Sequence, residues 1–164
     1  MLVPLKREAS IWKYRRTFMH DYPTYLRRLR SGETGLNPFL DFFGMVLEDL
    51  QEGYARFRMQ VRPEYMQGVG YMQGGVIVAM ADEAIAHAIM TVLDPDTALT
   101  TVELKSNFLA PVREGELVAE AHVFKKGRTL IIGDSLVKDG ENRDVLRCSA
   151  TFMLFAEKKG CASS

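Results

Sequence analysis

Apolar residues recur along the chain with three different periods, and each period predicts a different element. In the first thirty residues Ile11, Phe18 and Tyr25 fall every seven positions, with Tyr14, Tyr22 and Leu29 beside them, as an amphipathic helix requires. Pro23 splits that arm into two short helices. Arg27, Arg28 and Arg30 suit the C-terminal end of the second helix, and Ser31-Gly32 stops it. The expected use of the arm is packing on the domain or on a sister subunit. In the stretch NPFLDFFGMVLEDL, Asn37-Pro38 opens a short helix and Gly44 breaks it before an extended segment. Residues 44 to 51 and 53 to 62 then flank Gly53. Tyr54, Arg56, Arg58 and Gln60 alternate with Ala55, Phe57, Met59 and Val61, which predicts a hairpin with one wet face.

From Val76 to Leu93 only Asp82, Glu83, His87 and Thr91 interrupt an apolar stretch without Gly or Pro, which predicts a buried helix. Two carboxylates and a histidine at its centre, costing about 2 to 3 kcal/mol each in a bilayer, argue against a membrane span. After Pro95 the period returns to two, over 98 to 110, 116 to 126, 128 to 138 and 143 to 155. Pro111 and Gly115, then Gly127, then Asp139-Gly140 mark the turns, the last as the residues expected to take positive φ in a tight hairpin. Four successive hairpin-linked strands are expected. Leu146, Cys148, Ala150, Phe152 and Leu154 give the last one an apolar inner face. One hydrophobic helix with about six antiparallel strands is an α+β domain in which the sheet curls round the helix.

Composition sharpens this picture. At 164 residues, with 47% hydrophobic and 26% charged, the chain suits one soluble domain at 37–156, between a helical arm at 1–36 and a polar tail at 157–164. Its 21 Lys and Arg balance 21 Asp and Glu, so no overall field favours nucleic acid or an anionic membrane. Residues 1 to 30 nevertheless hold eight Lys and Arg against Glu8 and Asp21. Cys148 and Cys161 allow one bridge at most and read as free thiols suited to a reducing cytoplasm. MLVPLKREAS has no secretory pattern, so a cytoplasmic location is expected.

Most familiar constellations are missing: no phosphate-binding loop, dinucleotide fingerprint or Gly-x-Ser-x-Gly elbow occurs. His20, His87 and His122 have no metal-ligand spacing, so no metal is expected. The informative segment is MQGVGYMQGGVIVAMADEA, residues 66 to 84, where a glycine-rich loop opens onto the buried helix. Gly74 and Gly75 there serve either tight packing or delivery of backbone N–H groups to a developing oxyanion. Asp82 is either a satisfied core acid or a reactive one. Taken together, eight residues apart with no other polar group between them, they favour an active site. Glu83 and His87, four apart, read as a structural pair.

These residues carry a resemblance. Over residues 37 to 155, with NPF, a loop like Gly-x-x-His-Gly-Gly, an acid nine positions after that histidine, and the strand TVELKSNFLAPVREGEL, the chain resembles the hotdog-fold acyl-CoA thioesterases of the phenylacetate-degradation type. The resemblance implies a hotdog fold, with the Gly74 N–H polarising the thioester carbonyl and Asp82 acting as nucleophile or general base. It places Gln67 near the reacting carbonyl and Thr100 as the hydroxyl that orients water, with Thr101 next to it as the fallback. Gly70, Gln73 and Gly75 complete the loop. Gln73 stands where the family has histidine; it keeps hydrogen bonding but does not titrate near neutral pH. Lys125, Lys126 and Arg128 are either a solvated hairpin end or a site for the phosphates of coenzyme A.

The implied partner is an acyl-CoA, aryl or medium-chain, with no separate cofactor. A non-catalytic acyl-CoA-binding protein of the same fold is the alternative. Eight residues of helix rise about 12 Å, too far for Gly74 and Asp82 of one chain to meet one thioester. A two-fold homodimer with composite sites is therefore expected, and the resemblance adds that two such dimers commonly form a tetramer.

Overall fold

The computed structural model describes residues 21–156, so the first half of the arm, with Ile11, Tyr14, Phe18 and His20, and the tail with Cys161 lie outside the described residues. Helix α1 spans Tyr22–Arg30, where the Asp21 side chain accepts the Thr24 N–H at 3.0 Å and Gly32 takes a left-handed φ of 80° beyond the last turn. Its Tyr25 and Leu26 pack with Leu36 in a small cluster on the domain. Helix α2 spans Pro38–Phe43. Asn37 Oδ1 caps it by accepting from the N–H groups of Phe39 and Leu40, and Gly44 ends it at φ 59°.

Six strands follow the predicted segments closely: β1 Met45–Gln51, β2 Tyr54–Gln60, β3 Thr97–Phe108, β4 Glu116–Lys126, β5 Leu130–Asp139 and β6 Asp144–Ala156. They form one antiparallel sheet in the order β1-β2-β4-β5-β6-β3. The expectation of four successive hairpins is therefore wrong at its first link, since β3 pairs with β6 at one edge and β4 pairs with β2. Residues 109–115 carry the chain between them. Gly115 O accepts from the Val61 N–H at 2.9 Å and from the Gln60 carboxamide at 2.6 Å, which delivers β4 alongside β2. The β5–β6 turn also differs from expectation. Its left-handed residue is Asn142, at φ 63°, because the Asp139 carboxylate takes the Glu141 and Arg143 N–H groups and sets the turn.

Helix α3, Gly74–Met90, lies in the hollow of the sheet. Met80, Ala81, Ala84, Ile85, Ala88 and Ile89 are fully buried, in one core with Phe57, Leu117, Val137, Leu146 and Phe152. Small residues let helix and sheet approach closely: a side chain at Gly133 of β5 would start 2.8 Å from Ile85 Cγ2. The outer face of the sheet is polar around β2, where Arg56 and Arg58 bridge Glu48, Glu116 and Glu120.

A polar seam joins α1 to α3. His87 is fully buried, and burial lowers its pKa to about 4, so the ring is neutral near pH 7. Its Nδ1–H donates to the Glu83 carbonyl at 2.7 Å, which leaves Nε2 to accept the Tyr25 hydroxyl at 2.9 Å. The Tyr25 oxygen in turn accepts from Asn37 Nδ2 at 3.4 Å. Glu83 is thus paired with His87 chiefly through its backbone, its carboxylate standing 3.5 Å from Nδ1. Burial, with the Asp82 charge adding to it, lifts the Glu83 carboxyl to about 7 against an opposing hydrogen bond with Asn37.

Candidate active site

The loop before α3 is held on every side. Gln67 N–H donates to Tyr71 O at 2.8 Å, Met72 N–H to Val112 O at 2.8 Å and Gln73 N–H to Tyr65 O at 2.7 Å, with Gly70 turning the chain at φ 81°. The helix begins at Gly74, two residues before the apolar run, because Gln73 occupies the cap position and its Oε1 accepts the Gly74 N–H at 2.9 Å. Gly74 borders a cleft of about 430 Å³ shared with Gln67, Tyr71, Ile77, Phe108 and the 109–112 segment. A side chain at Gly74 would start 2.9 Å from the Phe108 ring, so close packing explains this glycine in part. Gly75 has open space around it, so packing within the chain explains nothing there.

Asp82 lies two turns further along α3, outside the cleft. Its carboxylate accepts from the Thr101 hydroxyl at 3.2 Å, with the second oxygen at 3.5 Å, and no cation pairs with it among the described residues. Burial raises its pKa above the usual aspartate value, and the Thr101 hydrogen bond opposes the rise. The pleat of β3 explains why Thr101 makes this contact and Thr100 does not. Thr101 pairs with Phe152, whose side chain is in the core, whereas Thr100 pairs with the exposed Met153 on the outer face.

The cation group stands apart from the loop within one chain. Lys125 and Lys126 end β4, Arg128 follows in the turn, and Lys126 Nζ donates to Val92 O just past the C-terminal end of α3. Seventeen residues of helix, about 25 Å, separate that end from Gly74. Thus Gln67, Gln73, Gly74 and Gly75 come together at one end, Asp82 and Thr101 meet halfway, and Lys125, Lys126 and Arg128 lie at the other end. Sequence reasoning missed Ile77, Tyr71 and Phe108 as cleft walls. Ile77 and Phe108 look like ordinary core-pattern residues of a helix and a strand, and Tyr71 stands among loop residues.

A six-stranded antiparallel sheet wrapped around one long helix defines a hotdog domain. Comparison with known proteins agrees. The model of the thioesterase superfamily matches residues 69–146. A Saccharolobus solfataricus protein described as an esterase is 31% identical over 117 residues, covering 71% of this chain and 77% of its own length. The 1,4-dihydroxy-2-naphthoyl-CoA hydrolase of Listeria monocytogenes is 24% identical over 116 residues, 71% of this chain and 93% of that protein. The crystal structure of a thioesterase family protein from Silicibacter pomeroyi superposes with a TM-score of 0.73 at 27% identity, over 81% of this chain and 99% of that one. The chain belongs to the thioesterase superfamily, a family of hydrolytic enzymes. Among the described residues no helix is long and apolar enough to cross a membrane.

Proposed function

We propose that the protein hydrolyses the thioester of an acyl-CoA to the free acid and coenzyme A, in a reducing cytoplasm. The observation that carries this reading is the Asp82 carboxylate, half-buried in the central helix, hydrogen-bonded by Thr101 and paired with no cation among the described residues. A carboxylate held in that way is available to attack a carbonyl carbon or to take a proton from water. The Gly74 N–H, at the positive end of α3, receives the charge that develops on the carbonyl oxygen. The C–S bond breaks, the CoA thiolate leaves, and the water oxygen ends in the acid. Neither a metal nor a redox cofactor enters a reaction written this way.

Gln67, which lines the cleft with Gly74, would hydrogen-bond the carbonyl region. Thr101 takes the hydroxyl role beside Asp82, ahead of Thr100. The walls formed by Tyr71, Ile77 and Phe108 favour an aryl or medium-chain acyl group. Gly74 and Asp82 of one helix do not reach one carbonyl, so the working unit is a two-fold dimer, or a pair of dimers, in which one chain supplies Gly74 and the other Asp82. In such a dimer Lys125, Lys126 and Arg128 of one chain would serve the phosphates bound at the other chain's cleft.

The test is release of free thiol from a panel of aryl and straight-chain acyl-CoAs. Turnover by wild type that Asp82→Ala abolishes is expected. Tight acyl-CoA binding without any turnover would favour a binding protein of the same fold and overturn the enzymatic reading.

A further inference from the structure

Gln73 precedes α3 with extended backbone, φ −63° and ψ 123°, and its side chain is exposed. The Gly74 N–H is a donor, so only the carboxamide oxygen of Gln73 can meet it, and does so at 2.9 Å. Side chains at this position commonly reach the second or third N–H of a helix. This one takes the first, which is the N–H assigned above to the thioester carbonyl. A carboxamide oxygen is the same kind of acceptor as a thioester oxygen, and one N–H has one hydrogen to give. The carboxamide and the substrate therefore exclude each other at Gly74.

We propose that Gln73 is a built-in competitor for the oxyanion donor: its carboxamide oxygen holds the Gly74 N–H in the free enzyme, and the thioester carbonyl must displace it. This inference rests on the role given to Gly74 in thioester hydrolysis. An exposed neutral hydrogen bond nearly breaks even against water, so the competitor weakens carbonyl binding threefold to tenfold rather than blocking it. Its effect is confined to ligands with a carbonyl at that place. Residue 73 accordingly separates ligands by the presence of that oxygen, whereas the cleft walls separate them by size.

The experiment uses two non-hydrolysable CoA conjugates of equal length, one with a methylene inserted between sulfur and carbonyl to give a ketone, the other a thioether with no carbonyl. Each is titrated calorimetrically into the full-length protein, into Gln73→Asn and into Gln73→Glu. Asparagine is a good helix cap whose shorter side chain reaches the later N–H groups, so Gln73→Asn frees Gly74 while keeping the helix start. A carboxylate is held more firmly at a helix N-terminus, so Gln73→Glu strengthens the competitor. The ratio of ketone to thioether affinity is expected to rise threefold to tenfold in Gln73→Asn and to fall at least tenfold in Gln73→Glu. The KM for the matching thioester should move with the ketone more than kcat does.

An unmoved ratio in both variants, or an equal change for the two conjugates, overturns the proposal, even if melting temperatures shift as for a plain helix cap. Wild-type turnover with an unmoved ratio removes the competitor alone. Absence of both ketone binding and turnover in wild type removes the thioesterase reading and the competitor together.

Discussion

The Tyr25 hydroxyl meets His87 Nε2 at 2.9 Å across 62 positions of sequence, tying the described part of the arm to the last turn of the core helix. The contact lies inside the protein: His87 is fully buried and Tyr25 nearly so. Removing the hydroxyl keeps the ring packing but leaves a buried ring nitrogen without its donor. Tyr25→Phe is expected to cost about 1 to 3 kcal/mol of stability. Urea unfolding of the two proteins measures it, and a difference below a few tenths would show that the seam contributes nothing.

The same seam predicts an unusual pH dependence. Glu83, with its folded pKa raised to about 7 from 4.5, holds its proton in the folded state while the unfolded chain loses it. Its contribution to stability is full below pH 4.5 and is lost as pH rises to 7. His87, lowered to about 4 from 6.5, works in the other direction: the unfolded ring binds a proton that the folded one refuses, so stability is lost as pH falls from 6.5 to 4. Each shift is worth roughly 3 kcal/mol, and the two oppose each other between pH 4.5 and 6.5. Wild-type stability should be nearly flat over that window. Glu83→Gln should instead gain roughly 3 kcal/mol from pH 4 to 6.5, and denaturant midpoints at four or five pH values distinguish the two curves.

The two threonines of β3 give a sharp comparison. Thr101→Ala removes the hydrogen bond to Asp82 and should lower kcat about tenfold, while Thr100→Ala, on the outer face, should change it less than twofold. The acid limb of kcat/KM should lie above the ordinary aspartate range, and Thr101→Ala should move it higher, because the lost hydrogen bond favoured the ionised form. Steady-state thiol release across pH is the measurement; equal effects from the two alanines would contradict the assignment.

Complementation tests the shared site. Gly74→Pro removes the N–H, and the extended backbone of Gln73 already suits a following proline. Asp82→Asn removes the reactive carboxylate. Each protein alone should be inactive, and joint refolding should recover about a quarter of wild-type activity, since random pairing makes half the dimers mixed with one intact site each. Mixed dimers that form without activity would place Gly74 and Asp82 in separate events.

Much of the fold is readable as period. The core helix, all six strands and the Asn37 and Gly44 ends of α2 follow from local pattern, because burial imposes spacing and caps impose residue type. Strand order does not follow. Nothing in residues 98 to 126 says that β3 sits beside β6, which depends on Gly115 binding to Val61 and Gln60 more than fifty positions earlier. The choice between Thr100 and Thr101 depends on the pleat, since a shift of one residue reverses the face, and β3 carries a bulge between Thr101 and Glu103. Asn142 takes the left-handed turn position in place of Gly140 because Asp139 supplies acceptors that a glycine scan does not count. At the site, loop and acid are legible in the sequence, but the carboxamide of Gln73 resting on Gly74 is a matter of side-chain direction.

One wall of the cleft is backbone that is anchored along its length. Leu109 N–H donates to Val145 O at 2.8 Å, Pro111 O accepts from the Arg143 guanidinium at 3.2 Å, and Val112 O accepts from Met72 N–H at 2.8 Å. Arg143 is itself clamped by Asp139. A jaw fixed at three points measures rather than yields, so under the proposed thioesterase reading Ile77 and Phe108, which line the cleft with it, would set the acyl length. Trimming either residue should lengthen the longest acyl-CoA turned over in the thiol-release panel, and removing the Arg143 charge, which holds Pro111 from the β5–β6 turn, should blur that limit by loosening the jaw.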